Sequence, residues 1–138
     1  MKSLILKLVT TATVSVACLV SSLSATSQES TFTIASRLGN KLSISSLLLP
    51  LQINRIHSWE IELRNANGSP IEGASIEVIG GMPAHDHGLP TQPQVTASTD
   101  PGIYLVEGIR FHMPGDWEMT FSISVNNQSD TAVLEFSL

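Results

Sequence analysis

The chain has 138 residues, the size of one small domain, and carries twelve acidic side chains against seven basic ones. Its net charge is −5, and with Lys2 and Lys7 set aside five basic residues face the same twelve acidic ones, a net charge of −7. That sign disfavours nucleic acid and anionic lipid as partners and mildly attracts cations. The one cysteine, Cys18, lies near the N-terminus. The remainder therefore has no thiol for a disulfide, a Cys-based zinc site, an iron–sulfur cluster, a blue-copper centre or a cysteine nucleophile.

The opening stretch, "MKSLILKLVTTATVSVACLVSSLSATSQ", reads as a secretory leader: Lys2 and Lys7, an apolar run, then small residues around Ser24 and Ala25. The run Leu8–Leu23 is 16 residues long, short of the roughly 20 that span a bilayer. Residues 1–25 are expected to be cleaved and the protein exported, to the periplasm or an equivalent space. Membrane anchoring by an uncleaved segment is the second choice. Lipid attachment at Cys18 is the third, weakened by Ser15 where an aliphatic residue is usual.

Residues 26–49 read as an extension with weak strands, alternating around Phe32, Ile34, Leu42 and Ile44. The main domain is set at 50–138. "HSWEIELR" alternates cleanly, with Trp59, Ile61 and Leu63 on one face. "NANGSP" is a turn signal. "ASIEVIGG" directs Ala74, Ile76 and Val78 inward. "QVTAST" is a short strand before the turn "DPG". In "IYLVEGIRF", Tyr104 and Val106 share one phase while Ile109 and Phe111 share another, which a one-residue bulge at Glu107-Gly108 reconciles. "EMTFSISV" turns Met119, Phe121, Ile123 and Val125 inward, "NNQSD" reverses the chain, and "TAVLEFSL" ends it.

About seven short strands with regular turns predict an all-β, immunoglobulin-like antiparallel β-sandwich, because one sheet cannot bury all these apolar faces. "DPGIYLV" has the form of a tyrosine corner at Tyr104. Seven aromatics make a thin core, so modest stability is expected.

Two stretches fall outside this strand pattern: "GGMPAHDHGLPTQP" at 80–93 and "FHMPGDW" at 111–117. Strand parity decides whether they meet. If each strand reverses its predecessor, the turn at Asn67-Gly68 marks a far pole, and His57, Met82, His85, His87, His112 and Met113 all fall at the opposite, near pole. Imidazole nitrogens bind both copper oxidation states and thioethers favour Cu(I). In extended backbone His85 and His87 point the same way and Asp86 away. Pro83, Pro90 and Pro93 reduce the entropy lost on fixing the loop. These six residues are the candidate metal ligands. The blander readings are a hydrogen-bonded rim histidine for His57 and apolar plugs for Met82 and Met113. Zinc is the rival metal, accepting three histidines but leaving the methionines unexplained.

The pair "GGMPAHDHGLPTQPQVT" and "GIYLVEGIRFHMPGDWEMTFSI" resembles the YtkA-like family, which borders the FixH-like proteins. The pattern falls on Met82, Pro83, His85, His87, Gly88, Phe111, Met113, Gly115 and Trp117, over about residues 50–138. The resemblance implies a small exported or membrane-anchored domain of immunoglobulin-like type, associated with copper handling and with assembly of copper-containing oxidases. FixH-like members differ in carrying a convincing membrane span.

The expected function is that of an extracytoplasmic copper carrier, chaperone or buffer, with a copper-receiving membrane protein or oxidase as partner. The alternative is a metal-free accessory module gripping a protein partner through the same loops and Trp117. Enzyme activity is not expected: no serine sits in a Gly-x-Ser-x-Gly elbow, and no nucleophile accompanies the histidines.

Overall fold

Alternation of apolar and polar side chains forces each strand to bury one face, and the sheets form where those faces meet. The computed structural model describes residues 32–138; the leader expected over residues 1–25, with Cys18, lies outside them. Nine strands run in order: β1 (Phe32–Ala35), β2 (Lys41–Ser46), β3 (His57–Arg64), β4 (Ser75–Met82), β5 (His87–Gly88), β6 (Gln94–Ala97), β7 (Ile103–Ile109), β8 (Asp116–Val125) and β9 (Gln128–Ser137). They form two antiparallel sheets, of order β1-β2-β3-β7-β6 and β5-β4-β8-β9. Among the described residues no helix is long and apolar enough to cross a membrane.

The sandwich is therefore as expected, with more strands than the predicted seven or so. The weak strands of the 26–49 extension are built into it. β2 pairs with β3 from Lys41↔Arg64 to Ser46↔Trp59, and Leu42 and Ile44 are fully buried. Their signal is weak because serines fill the intervening positions, not because they lie outside the core. The two-residue strand β5 was not anticipated; it pairs Met82 with His87.

The core holds Trp59, Ile61, Leu63, Val106 and Ile109 of one sheet, with Phe111 just beyond the end of β7, against Met119, Phe121 and Ile123 of the other. Val125, expected inward, is only half-buried where β8 runs into its turn. Each fully buried side chain of this size stabilises the fold by about 1.5–3 kcal/mol. Toward the near pole the core becomes aromatic. Phe111 meets Trp117 at 5.0 Å, Phe136 at 5.3 Å and Trp59 at 5.9 Å between ring centroids. Such tilted and edge-on pairs contribute about 0.5–1.5 kcal/mol beyond burial.

Local chemistry fixes the connections. Tyr104 is a tyrosine corner: its hydroxyl donates to the Ile71 carbonyl at 2.8 Å and accepts from the Ala74 N–H at 3.0 Å, pinning the β3–β4 connection. Asn126 and Asn127 both take positive φ, 49° and 58°, forming the tight turn between Val125 and Gln128. "NNQSD" is thus turn for two residues and strand thereafter. The predicted bulge is present. His57 faces Ile109 and Trp59 faces Val106, so β7 holds one residue more than β3, and Gly108 carries the φ of 84° this needs.

Asp130 closes one side of the sandwich. Its carboxylate accepts from the N–H groups of Leu38 and Thr131 and from the Asn40 amide, tying β9 to the β1–β2 turn.

Candidate metal centre

β4 and β7 each end at the near pole, and the segments leaving them carry the two histidine-bearing stretches. Pairing of β4 with β8 from Ser75↔Ser124 to Gly81↔Glu118 brings Met82 alongside the start of β8, while His112 and Met113 lie just before that start. The imidazoles meet as a row. The ring centroids of His85 and His87 are 6.2 Å apart, and those of His87 and His112 are 6.0 Å apart. His85 and His87 are exposed and His112 is half-buried.

The backbone reaches this arrangement by a route other than the expected extended one. Pro83–His85 form a single 3-10 turn, with Pro83 suited by its fixed φ to the first position. Asp86 then adopts a left-handed conformation, φ 53°, ψ 38°, and His87 enters β5. The reversal at Asp86 sets the two rings side by side; strand alternation does not.

The second stretch is held from below. The Trp117 indole is 1% exposed; its Nε1–H donates to the Met113 carbonyl at 3.1 Å. Its ring meets His112 edge-on, with centroids 5.6 Å apart at 79°. Gly115 exchanges backbone hydrogen bonds with Leu138, at 2.9 and 3.0 Å. Trp117 was expected as a contact residue for a partner, but burial removes it from that role. It positions His112 and Met113 instead.

The six candidates divide. His85, His87 and His112 form the row; Met113, next to His112 in the chain, is half-buried and packed against the core. Met82 is 1% exposed and its terminal methyl lies against Gly115, so it plugs the sandwich end. His57 is buried. Its ring packs on Phe111 at 5.5 Å and Trp59 at 6.2 Å, and its Nδ1 lies 3.1 Å from the Arg55 carbonyl. Burial pulls its pKa below the ordinary 6.5, more than the Arg55 hydrogen bond restores.

Whether these residues suit a metal turns on donors and reach. Among the described residues, no three His, Asp or Glu side chains converge tightly enough to hold an ion as they stand. One pair does come within reach. With metal–nitrogen bonds of about 2 Å and a ring radius of about 1.1 Å, two imidazoles on one ion have centroids up to roughly 6 Å apart. The His87–His112 separation meets that limit. The His112 Nδ1 is shielded and has no hydrogen-bond partner in the protein, so no protein group occupies its lone pair or fixes its tautomer. A shallow cavity beside His87 is lined by Met82, Pro83, Asp86 and Glu118, whose carboxylates favour a cation there. By reach alone the imidazoles admit a two-histidine site, at His87 and His112, and not a closed three-histidine one. Sequence reasoning missed Asp86 as the hinge of the row and Trp117 as its support; neither leaves a periodic signal.

Fold and site define the class: an immunoglobulin-like sandwich whose four histidines, with Met82 and Met113, lie toward one pole. Residues 51–122 match the model of the YtkA-like family, and the chain belongs to that family. Neither the curated proteins nor the solved structures compared with the chain gave a match.

Proposed function

We propose that this protein binds copper in an extracytoplasmic compartment and acts as a carrier, chaperone or buffer for it. His87 and His112 supply the central nitrogen donors, His85 a third from the exposed side, and Met113 a soft sulfur suited to Cu(I). The observation supporting this most directly is the row of three imidazoles drawn from two distant stretches of chain. When bound, the ion accepts these donors and is passed on. An exposed row with no closed triad favours release over retention, as delivery to a copper-receiving membrane protein or oxidase requires.

Equilibrium dialysis against Cu(I) and Cu(II), followed by metal analysis, tests the reading. Stoichiometric copper in the native chain and its loss in His87→Ala/His112→Ala support it. Full stoichiometric binding by that double variant ends it.

A further inference from the structure

The ten-residue β2–β3 connection, 47–56, lies at the same pole as the histidines, since β2 ends against Trp59 and β3 begins at His57. Four of its side chains are exposed large hydrophobics: Leu47 at 52%, Leu49 at 57%, Ile53 at 38% and Ile56 at 67%. The others of that kind among the described residues are dispersed, Leu38 in the β1–β2 turn and Ile79 and Val133 within β4 and β9.

The loop holds these side chains outward by a fixed backbone. The Leu47 N–H donates to Ser58 at 2.9 Å and the Asn54 N–H to Phe111 at 2.7 Å. Arg110 reaches the Asn54 side chain at 3.1 Å, and the Ser46 hydroxyl donates to the Leu48 carbonyl at 2.7 Å. In a chain of net charge −5, this segment carries Arg55 and no carboxylate. β1 starts with Phe32 opposite Ile44 and runs to Ala35 opposite Lys41, so this first described strand begins toward the near pole.

We propose that this pole lies against a lipid bilayer, with Leu47–Ile56 seated at the headgroup–acyl boundary. A set of apolar tips beside a basic residue, free of acidic groups, has the composition of an interfacial anchor. One such element alone gives marginal, reversible binding, a contact that holds the domain at a surface without fixing it there. Four exposed large apolar side chains on one ten-residue connection otherwise carry an aggregation cost that soluble surfaces avoid. The proposal does not rest on copper.

The test uses the full chain with Cys18→Ser, adding either Ile56→Cys or the far-pole Asn67→Cys, each labelled with an environment-sensitive fluorophore. The labelled proteins are mixed with phosphatidylcholine vesicles containing acyl-chain nitroxide lipid, without metal. Expected is a blue shift and nitroxide quenching at 56, with neither at 67. Emission at 56 that stays water-like, or quenching equal at the two positions, overturns the proposal and leaves the loop to a protein partner.

Discussion

The terminal methyl of Met82 occupies the space a side chain at Gly115 would need: a Cβ built there stands 2.9 Å from Met82 Cε. Residues 33 apart in the chain are thus fitted to each other, one from each histidine-bearing stretch. Gly115 also holds a φ of 125°, which L side chains rarely adopt. The spacing of Met82 from His87 and of Gly115 from His112 therefore couples core packing to the position of the imidazoles.

Gly115→Ala should destabilise the fold by about 1–3 kcal/mol, combining overpacking with backbone strain. Met82→Ala on that background should relieve part of the loss, because it empties the contested space. Urea unfolding of the two single variants and the double gives the coupling. Strict additivity would show that the two residues act separately.

Trp117→Phe keeps a ring beneath the loop and removes the donor to Met113. A loss of about 1 kcal/mol is expected from the hydrogen bond, together with weaker copper binding in the dialysis assay as His112 and Met113 loosen. Stability lowered with copper affinity unchanged would confine Trp117 to packing.

At the other end of the molecule, Tyr104→Phe removes a hydroxyl serving both Ile71 and Ala74. About 1–3 kcal/mol should be lost, since two partly buried backbone groups lose their partner. Copper stoichiometry should not change. Thermal unfolding and metal analysis on the same sample separate the two effects.

Acid should weaken the fold in two steps. Burial pushes the Asp130 pKa up, but hydrogen bonds from Ser36, Asn40 and the Leu38 and Thr131 N–H groups outweigh it and leave the pKa below the ordinary 3.8. Its contribution is complete above 3.8 and lost as pH falls through the folded value. His57 is lowered from 6.5 by burial, so the unfolded chain takes up that proton first, and stability drops as pH falls below 6.5. Urea midpoints between pH 7 and pH 3 should show both declines. Asp130→Asn should flatten only the lower one.

Much of this was legible from residue patterns. Trp59, Ile61 and Leu63 alternate without interruption, and a conflict of phase within one strand is enough to require a bulge at Glu107-Gly108. Parity placed both histidine stretches at one pole because antiparallel strands allow only two ends. What could not be read arises from non-periodic backbone and from packing depth. The left-handed Asp86 that sets His85 beside His87 has no pattern to betray it. Met82 and Met113 look alike in sequence, and only their depth separates a plug from a candidate ligand. The apolar loop 47–56 lacks alternation, so its leucines read as a strand running on past Ser46 and not as an exposed surface.

The bulge in β7 acts as a clutch for everything downstream of it. Two residues, Glu107 and Gly108, fill one step of the alternation between Val106 and Ile109, so Phe111 is delivered to the aromatic core and His112 to the rim. Deleting Gly108 would remove the surplus residue along with the bulge and leave Val106, Ile109 and Phe111 alternating inward. A strand that kept the residue but straightened would instead exchange sides, turning the phenyl ring to water and the imidazole in among the tryptophans. The φ of 84° at one glycine decides on which side of the wall this histidine stands.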